Sequence, residues 1–380
     1  QKNCQQFLYN PAGACKIKHR KYVWMSEERH VRFIHISDVH LGVAPDTGRS
    51  WSSKRKQEIW DSFEKVIRTA QKQQPEFLFI TGDLFHGQPL KKEIKEVDAL
   101  FRLIPGTRVM LVAGNHDYLR EKSYYLTYPW ADNVYLFRRE EIDCFEFPEL
   151  GAAVYGCSYW HREIRERKYD AAFPKENDRL HILLAHGGDE RHIPFAAETL
   201  VRNGFDYVAA GHIHKGGWLA EGRAVMAGSL EPTDRNDTGM HGYWMGRLTK
   251  EGAEAVFHPI RKCEYCHETY EVNADTTERA ITAWVQGLLE KRPAYQYFCL
   301  TLAGTKDPEI TYDLSKLRGL DRIVDIKEEL KPAHDYGRLL EEHEDSILGA
   351  YIKRMQRQGT DELTERALAY GVNALLGYEL

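Results

Sequence analysis

The sequence predicts an α/β fold in which two β-sheets pack as a sandwich flanked by helices, followed by a small α/β cap and C-terminal helices. Three observations carry this expectation: short apolar runs that each end in a polar cluster, helical periodicity between the first two runs, and strand-and-turn texture beyond Lys215. Unbroken apolar runs of about four to eight residues read as strands buried on both faces.

The first such run covers residues 31–37 and ends at Asp38; the second covers 77–80 and ends at Thr81-Gly82-Asp83. Between them Ile59, Phe63, Val66, Ile67 and Ala70 recur at helical spacing, which predicts a crossover helix over 54–73 and hence a βαβ unit. A helix over 91–103 leads to a strand over 109–113 ending at Gly114-Asn115-His116-Asp117. The pattern repeats at 180–185, which runs into His186, and at 207–210, which runs into Gly211-His212-Ile213-His214. Every polar cluster thus lies past the carboxyl end of a strand, where open α/β sheets place ligands. Strand-and-turn structure is expected at 216–230, 242–248 and 253–260, in a second sheet packed on the first. A strand at 269–272, a helix at 278–290 and strands at 295–302 and 323–328 read as the cap. From Tyr336 an apolar stripe through Leu340, Ile347, Leu348, Tyr351, Ile352 and Met355 and a second helix over 361–376 close the chain. The expected divisions are an extension at 1–24, disordered and preceding a natural start at Met25, a main domain at 25–262, a cap at 263–335 and helices at 336–380.

Lysine and arginine (52) nearly balance aspartate and glutamate (57), and the net charge of −5 excludes a surface that is a polycation throughout. No apolar run reaches the ~18 to 20 residues that span a bilayer, and no signal-peptide core is seen, so the expectation is a cytoplasmic protein without a membrane partner. Seven scattered cysteines do not make a disulfide framework. Cys263-Glu-Tyr-Cys266-His267 matches a haem attachment spacing formally, but strand-borne thiols are the better reading without an export signal.

Asp38 and His40 flank one residue at a strand end, so a carboxylate oxygen and an imidazole nitrogen can turn to one ion. Asp83, Asn115, His116, His186 and the His212-x-His214 pair add donors of similar hardness. Singly, each has a bland explanation as a turn cap or a satisfied core side chain. Five such clusters in order, all at strand ends, point to metal. Oxygen and imidazole donors without thiolate suit manganese, iron or zinc. A carboxylate shared between two ions about 3.5 to 4 Å apart suits phosphoester hydrolysis.

Asp38-Val-His40, Gly82-Asp83, Gly114-Asn115-His116-Asp117, His186 and Gly211-His212-Ile213-His214 resemble the motif series of the calcineurin-like metallophosphoesterases. Ser37-Asp38-Val39-His40-Leu41-Gly42, Gly82-Asp83-Leu84-Phe85-His86 and Ala227-Gly228-Ser229-Leu230-Glu231-Pro232 narrow the resemblance to SbcD-type DNA repair exonucleases, especially the YhaO-like branch. It implies the calcineurin-like sandwich and two divalent metal ions, most readily manganese. Asp38, His40, Asp83 and His214 would hold one ion, and Asp83, Asn115, His186 and His212 the other. It implies His116 beside the scissile phosphate, oriented by Asp117, and His86 as a second histidine near it. Partners implied are DNA ends, single-stranded or duplex, an SMC-like ATPase of the SbcC kind docking on the C-terminal helices, and a second copy in a homodimer. The chain has no Gly-x-x-x-x-Gly-Lys-Ser/Thr loop of its own.

Two basic and aromatic stretches, Arg49, Trp51, Lys54, Arg55 and Lys56, then Tyr118, Arg120, Lys122, Tyr124 and Tyr125, serve equally as DNA contacts or as ordinary packing and solvated charge. The run 162–168 alternates sign and reads as a solvated helix. The expected function is a two-metal DNA nuclease. A phosphodiesterase or phosphatase for a small molecule or phosphoprotein stays open, because a metal centre does not choose its substrate, as does a non-catalytic scaffold that binds DNA ends.

Overall fold

Strands form where the apolar runs lie. The structure, a computed structural model, describes residues 30–175 and 177–377. In it β1 (Val31–Ile36), α1 (Ser52–Gln73), β2 (Phe77–Thr81), α2 (Lys91–Phe101) and β3 (Arg108–Val112) follow in order. One helical turn, α3 (Tyr124–Thr127), precedes β4 (Val134–Leu136), β5 (Asp143–Phe147) and β6 (Ala152–Gly156). Next come β7 (Leu180–His186), α4 (Ala197–Arg202), β8 (Tyr207–Gly211), β9 (Gly217–Ala220), β10 (Ala224–Met226), β11 (His241–Thr249) and β12 (Gly252–Ile260). Then follow β13 (Glu264–Val272), α5 (Glu278–Lys291), β14 (Gln296–Lys306), α6 (Ser315–Arg318) and β15 (Ile323–Pro332). Helices α7 (Tyr336–Glu342), α8 (Ile347–Gln356) and α9 (Glu362–Leu376) end the described chain. The extension expected at 1–24 lies outside the described residues.

Two six-stranded sheets form the sandwich, in the orders β12-β11-β1-β2-β3-β4 and β5-β6-β7-β8-β10-β9. In each, four parallel strands are flanked by antiparallel ones: β11 and β12 in the first, β5 and β9 in the second. This corrects the expected division, in which the strands up to residue 210 shared one sheet and those beyond Lys215 made the other. β7 and β8 pair with β6 and β10, whereas β11 returns to β1 with Trp244 opposite His35. Both sheets are therefore built from distant segments. The run 162–168 is not a helix either: Ile164 is pinned by backbone bonds to Arg191 and Ile193, which hold the segment open as a loop.

Phe33, Phe77, Phe79, Val112, Ile182, Leu184, Tyr207 and Val225 interdigitate between the sheets. Alternate residues Ile34 and Ile36 turn outward to Ile59, Phe63 and Ile67 of α1, and Val97 and Phe101 of α2 pack on the same face. Both faces of β1 are thus covered, which is why its apolar run is continuous. The outer face of the second sheet is covered by Leu200 of α4 with Tyr169 and Phe205.

A third sheet, β13-β14-β15, is parallel throughout and packs Phe298, Leu300 and Ile326 against Ile281 and Val285 of α5. β13 begins five residues before the expected 269, and it carries Cys266 and His267, the latter bonded to the Arg235 carbonyl at 2.8 Å. Leu348 and Ile352 of α8 pack on Leu368 and Val372 of α9. Leu363 and Leu375 of α9 stay exposed. No helix among the described residues is long and apolar enough to cross a membrane.

The turn between α2 and β3 hangs on one side chain. Asn133, at the start of β4, is buried, and its Nδ2 donates to the carbonyls of Phe101, Ile104 and Thr107 at 3.0 to 3.1 Å. Asn133→Ala removes the amide from all three carbonyls, of which those of Phe101 and Ile104 keep a backbone N–H from Ile104 and Thr107, and the expected loss is about 2 kcal/mol of stability. Urea unfolding of the two proteins measures it, and an unchanged midpoint would show that water replaces the amide.

Candidate metal centre

The site lies at the seam of the sandwich, where strand ends from both sheets meet. β1, β2 and β3 of the first sheet deliver Asp38 and His40, Asp83, and Asn115 with His116; β7 and β8 of the second deliver His186, His212 and His214. Beyond β1 and β2 the two loops stay zipped by backbone bonds: Asp38 N–H to Gly82 O, His40 N–H to Asp83 O and Leu41 N–H to Leu84 O, at 2.9 to 3.1 Å. The turns that aim these side chains are strained. Asp38 (φ +50°), His40 (+52°), Asp83 (+50°) and His212 (+96°) all sit in left-handed backbone. Each costs on the order of 1 kcal/mol or more, and such strain concentrates where geometry serves function.

The donors converge. His40 Nε2 and His214 Nε2 are 3.1 Å apart, and each lies 4.0 Å from Asp38 Oδ1. Asp83 Oδ2 is 3.9 Å from His40 Nε2 and 3.6 Å from His186 Nε2. Asn115 Oδ1 meets His186 Nε2 at 3.0 Å and His212 Nδ1 at 3.1 Å. Asp38, His40 and His214 form one group able to hold a metal ion, and Asp38, Asp83 and His186 another. Asp38 Oδ1 is buried without a hydrogen-bond partner. A charged oxygen so placed, beside imidazole nitrogens aimed at the same point, fits a bound divalent cation.

Electrostatics point the same way. Burial pulls His186 down to about 3 and His40 well below its ordinary value, so both rings are neutral near pH 7 and offer lone pairs. Burial, then the Asp117 and Asp38 charges, pushes Asp83 well above the usual carboxylate range. His186 is also held in place: its Nδ1 lies 2.8 Å from the Thr81 carbonyl, which fixes the proton there and turns Nε2 to the site. The Tyr159 hydroxyl donates to its carbonyl at 2.9 Å and the Tyr169 oxygen accepts its N–H at 2.9 Å.

His116 and His86 stand together at the rim, ring centroids 5.2 Å apart and within 4.8 and 5.4 Å of His40. His116 Nδ1 lies 3.2 Å from the His86 carbonyl, and its backbone N–H donates to Asp83 Oδ1 at 2.9 Å. Asp117 does not orient the His116 ring as the resemblance implied. Its oxygens are taken by the N–H groups of Gly114 and Phe85 and by the Tyr125 hydroxyl at 2.6 Å, so it braces the loop from beneath. Most of the first basic stretch is also committed elsewhere. Arg55 is fully buried against Glu58 and Glu231, Arg49 bonds the Arg318 and Val324 carbonyls, and Trp51 packs on Tyr297. Of the second stretch Tyr125 is buried, while Arg120 lies over the Tyr118 ring and Tyr124 stays exposed. Two acidic residues that the motifs did not indicate touch the site: Asp189 bonds His212 and Asp237 bonds His214. For Asp189 the sequence held a signal, the Gly187-Gly188-Asp189 turn directly after His186.

Gly82 shows how tightly the loops close. A Cβ there would lie 2.1 Å from His186 Nδ1, and its φ of +97° disfavours any other residue. Gly82→Ala must displace the His186 ring, and the expected result is divalent-cation affinity weakened about 10- to 100-fold together with a lower unfolding temperature. Calorimetric metal titration and thermal melts check this; wild-type values in both would mean that the loop relaxes freely.

Comparison with known proteins agrees with this geometry. Residues 31–216, which contain every residue of the cluster up to His214, match the family model of calcineurin-like phosphoesterases. The chain is 31% identical over 239 residues to the uncharacterized metallophosphoesterase YhaO of Bacillus subtilis, covering 57% of each chain. It is 30% identical over 201 residues to the DNA double-strand break repair protein Mre11 of Sulfurisphaera tokodaii, covering 48% of this chain and 49% of that one. With Mre11 of Sulfolobus acidocaldarius the identity is 25% over 340 residues, 79% of this chain and 85% of the other. The chain spans about half the length of the first two of these relatives. Its residues 31–216 are a metallophosphoesterase domain of the calcineurin-like family.

Proposed function

We propose that the chain is a two-metal phosphodiesterase that cleaves DNA in end processing or repair. Asp38, His40, Asp83 and His214 would hold one divalent ion, and Asp83, Asn115, His186 and His212 the other. The observation that carries this reading is the convergence of these seven donors on the seam, with Asp38 Oδ1 buried and unpartnered among them. The thiolate-free donor set suits manganese, with iron or zinc as competitors. DNA as the substrate is supported by relatives named as double-strand break repair proteins.

Two divalent ions bound there supply charge neutralisation of the phosphate and lower the pKa of an attacking water. The chain's own part is to aim and to move a proton. With Nδ1–H donated to the His86 carbonyl, a protonated His116 has a second proton on Nε2 that it can give to the departing sugar oxygen as its bond to phosphorus breaks, leaving the ring neutral. Burial lowers the pKa of both His116 and His86, which makes their protonated forms stronger acids. The exposed Arg120, lying over the half-buried Tyr118 ring, follows the same loop and supports a cationic contact to a nucleic-acid strand beside the site. The exposed Ile347 and Leu363 of the terminal helices, each 77% exposed, support docking of an SMC-like ATPase of the SbcC kind there.

His116→Ala is expected to keep two bound ions while hydrolysis of end-labelled oligonucleotides falls by about 10² to 10⁴-fold. Asp83→Ala is expected to lose both the ions and the activity. Metal analysis beside single- and double-stranded product ladders reads each outcome. Loss of metal from the His116 variant would move that residue into the ligand set, and faster turnover of cyclic nucleotides than of oligonucleotides would move the substrate to small molecules.

A further inference from the structure

Asp189 and Asp237 support the His212 and His214 pair from different loops. Asp189 Oδ2 lies 2.7 Å from His212 Nε2, and Asp237 Oδ2 lies 2.8 Å from His214 Nδ1. A carboxylate only accepts, so the facing ring nitrogen carries the proton. The two rings are thereby set in opposite tautomers. His212 is left with Nδ1, 3.1 Å from Asn115 Oδ1, as its free donor to the site. His214 is left with Nε2, 3.1 Å from His40 Nε2.

Each carboxylate is itself held. Asp189 Oδ1 accepts the N–H groups of Arg191 and His192 at 2.7 and 2.9 Å, and the His192 ring sits 2.9 Å from Oδ2. Gly187 and Gly188, at φ +141° and +117°, turn the chain back after His186 so that Asp189 reaches His212. Asp237 Oδ2 accepts both the N–H and the hydroxyl of Thr233 at 2.8 Å. The Asp237 loop is tied down further, since the Asp237 carbonyl lies 3.2 Å from His241 Nε2.

We propose that Asp189 and Asp237 are positioning residues, each fixing the tautomer and aim of one histidine and so governing one of two cation positions. Asp237 serves the position shared by Asp38, His40 and His214, and Asp189 the one shared by Asn115, His186 and His212. The inference rests on the two-cation reading of the site given above. Without its carboxylate, a ring is free to place its proton on the ligating nitrogen or to rotate, and metal affinity drops.

Manganese titration of the metal-free full chain, followed by calorimetry, tests this with wild type, Asp189→Ala, Asp189→Asn, Asp237→Ala and Asp237→Asn. Each alanine variant is expected to weaken one binding step about 10- to 100-fold and to leave the other step, and the unfolding temperature of the metal-free protein, unchanged. Asparagine keeps an accepting oxygen and is expected to restore most of the loss. Equal loss in both steps, no loss, or a metal-free protein whose unfolding temperature falls in the asparagine variants would overturn the inference. A wild-type chain that takes up fewer than two ions would instead overturn the two-cation reading, and the inference with it.

Discussion

Two buried carboxylates at the meeting of two sheets constrain everything around them. Asp38 and Asp83 are 0% and 1% exposed. A carboxylate taken out of water needs a counter-charge or several hydrogen bonds, or it takes up a proton instead. The backbone supplies part of that: the His212 N–H reaches Asp38 Oδ2 at 2.8 Å and the His116 N–H reaches Asp83 Oδ1 at 2.9 Å. The imidazoles of His40 and His186 lie close, but burial keeps them neutral, and the Asp117 and Asp38 charges repel the Asp83 carboxylate. The elevated pKa of Asp83 is the mark of a compensation that the polypeptide leaves incomplete. A divalent cation bound among these donors would complete it.

Holding those groups in register asks for backbone that ordinary sequences avoid. Four ligand-type residues adopt left-handed φ, and the glycines between them mark points where no side chain fits. At Gly114 an added Cβ would lie 2.2 Å from Asp83 Oδ1. This strain persists because rigid parallel strands, buried on both faces, feed every loop. The interior of the sandwich, with its stacked Phe33, Phe77 and Phe79, thus carries a load that belongs to the site.

How much of this was legible in the sequence follows from how local each feature is. Continuous apolar runs ending in Asp, Asn or His marked β1, β2, β3, β7 and β8 and the residues that cluster beyond them, because both signals lie within a few positions of one another. Sheet membership was not legible: β7 and β8 look like continuations of the first βαβ unit until they pair with β6 and β10. β5 was missed because its half-exposed Asp143-Cys-Phe-Glu-Phe147 mixes charge with apolar residues, and β6 because two alanines and a glycine weaken its pattern. Arg55 reads as a surface cation and is a buried one, because Glu231 arrives from 176 residues away. Asp117 reads as a partner of His116, but the tight turn sends its carboxylate downward to Tyr125. Side-chain direction in a turn is set by the backbone dihedrals and χ1 together, and those are not written in a motif.

The third sheet attaches to the chain segments that leave the candidate ligands. The loop after His40 carries Arg49 and Trp51, which bond the Arg318 and Val324 carbonyls and pack on Tyr297. The loop that carries Asp237 also carries Arg235, paired with Asp325 at 2.7 Å, and its carbonyl receives His267. Tyr265 reaches back to Asp46 at 2.8 Å, closing the contact from the other side. Both loops therefore run between a ligand at one end and the third sheet at the other. A side chain such as His214 inherits its position from two directions, the end of β8 on one side and, through Asp237, a loop pinned to β13 and β15 on the other. The third sheet thus helps to hold the loop behind one half of the candidate site.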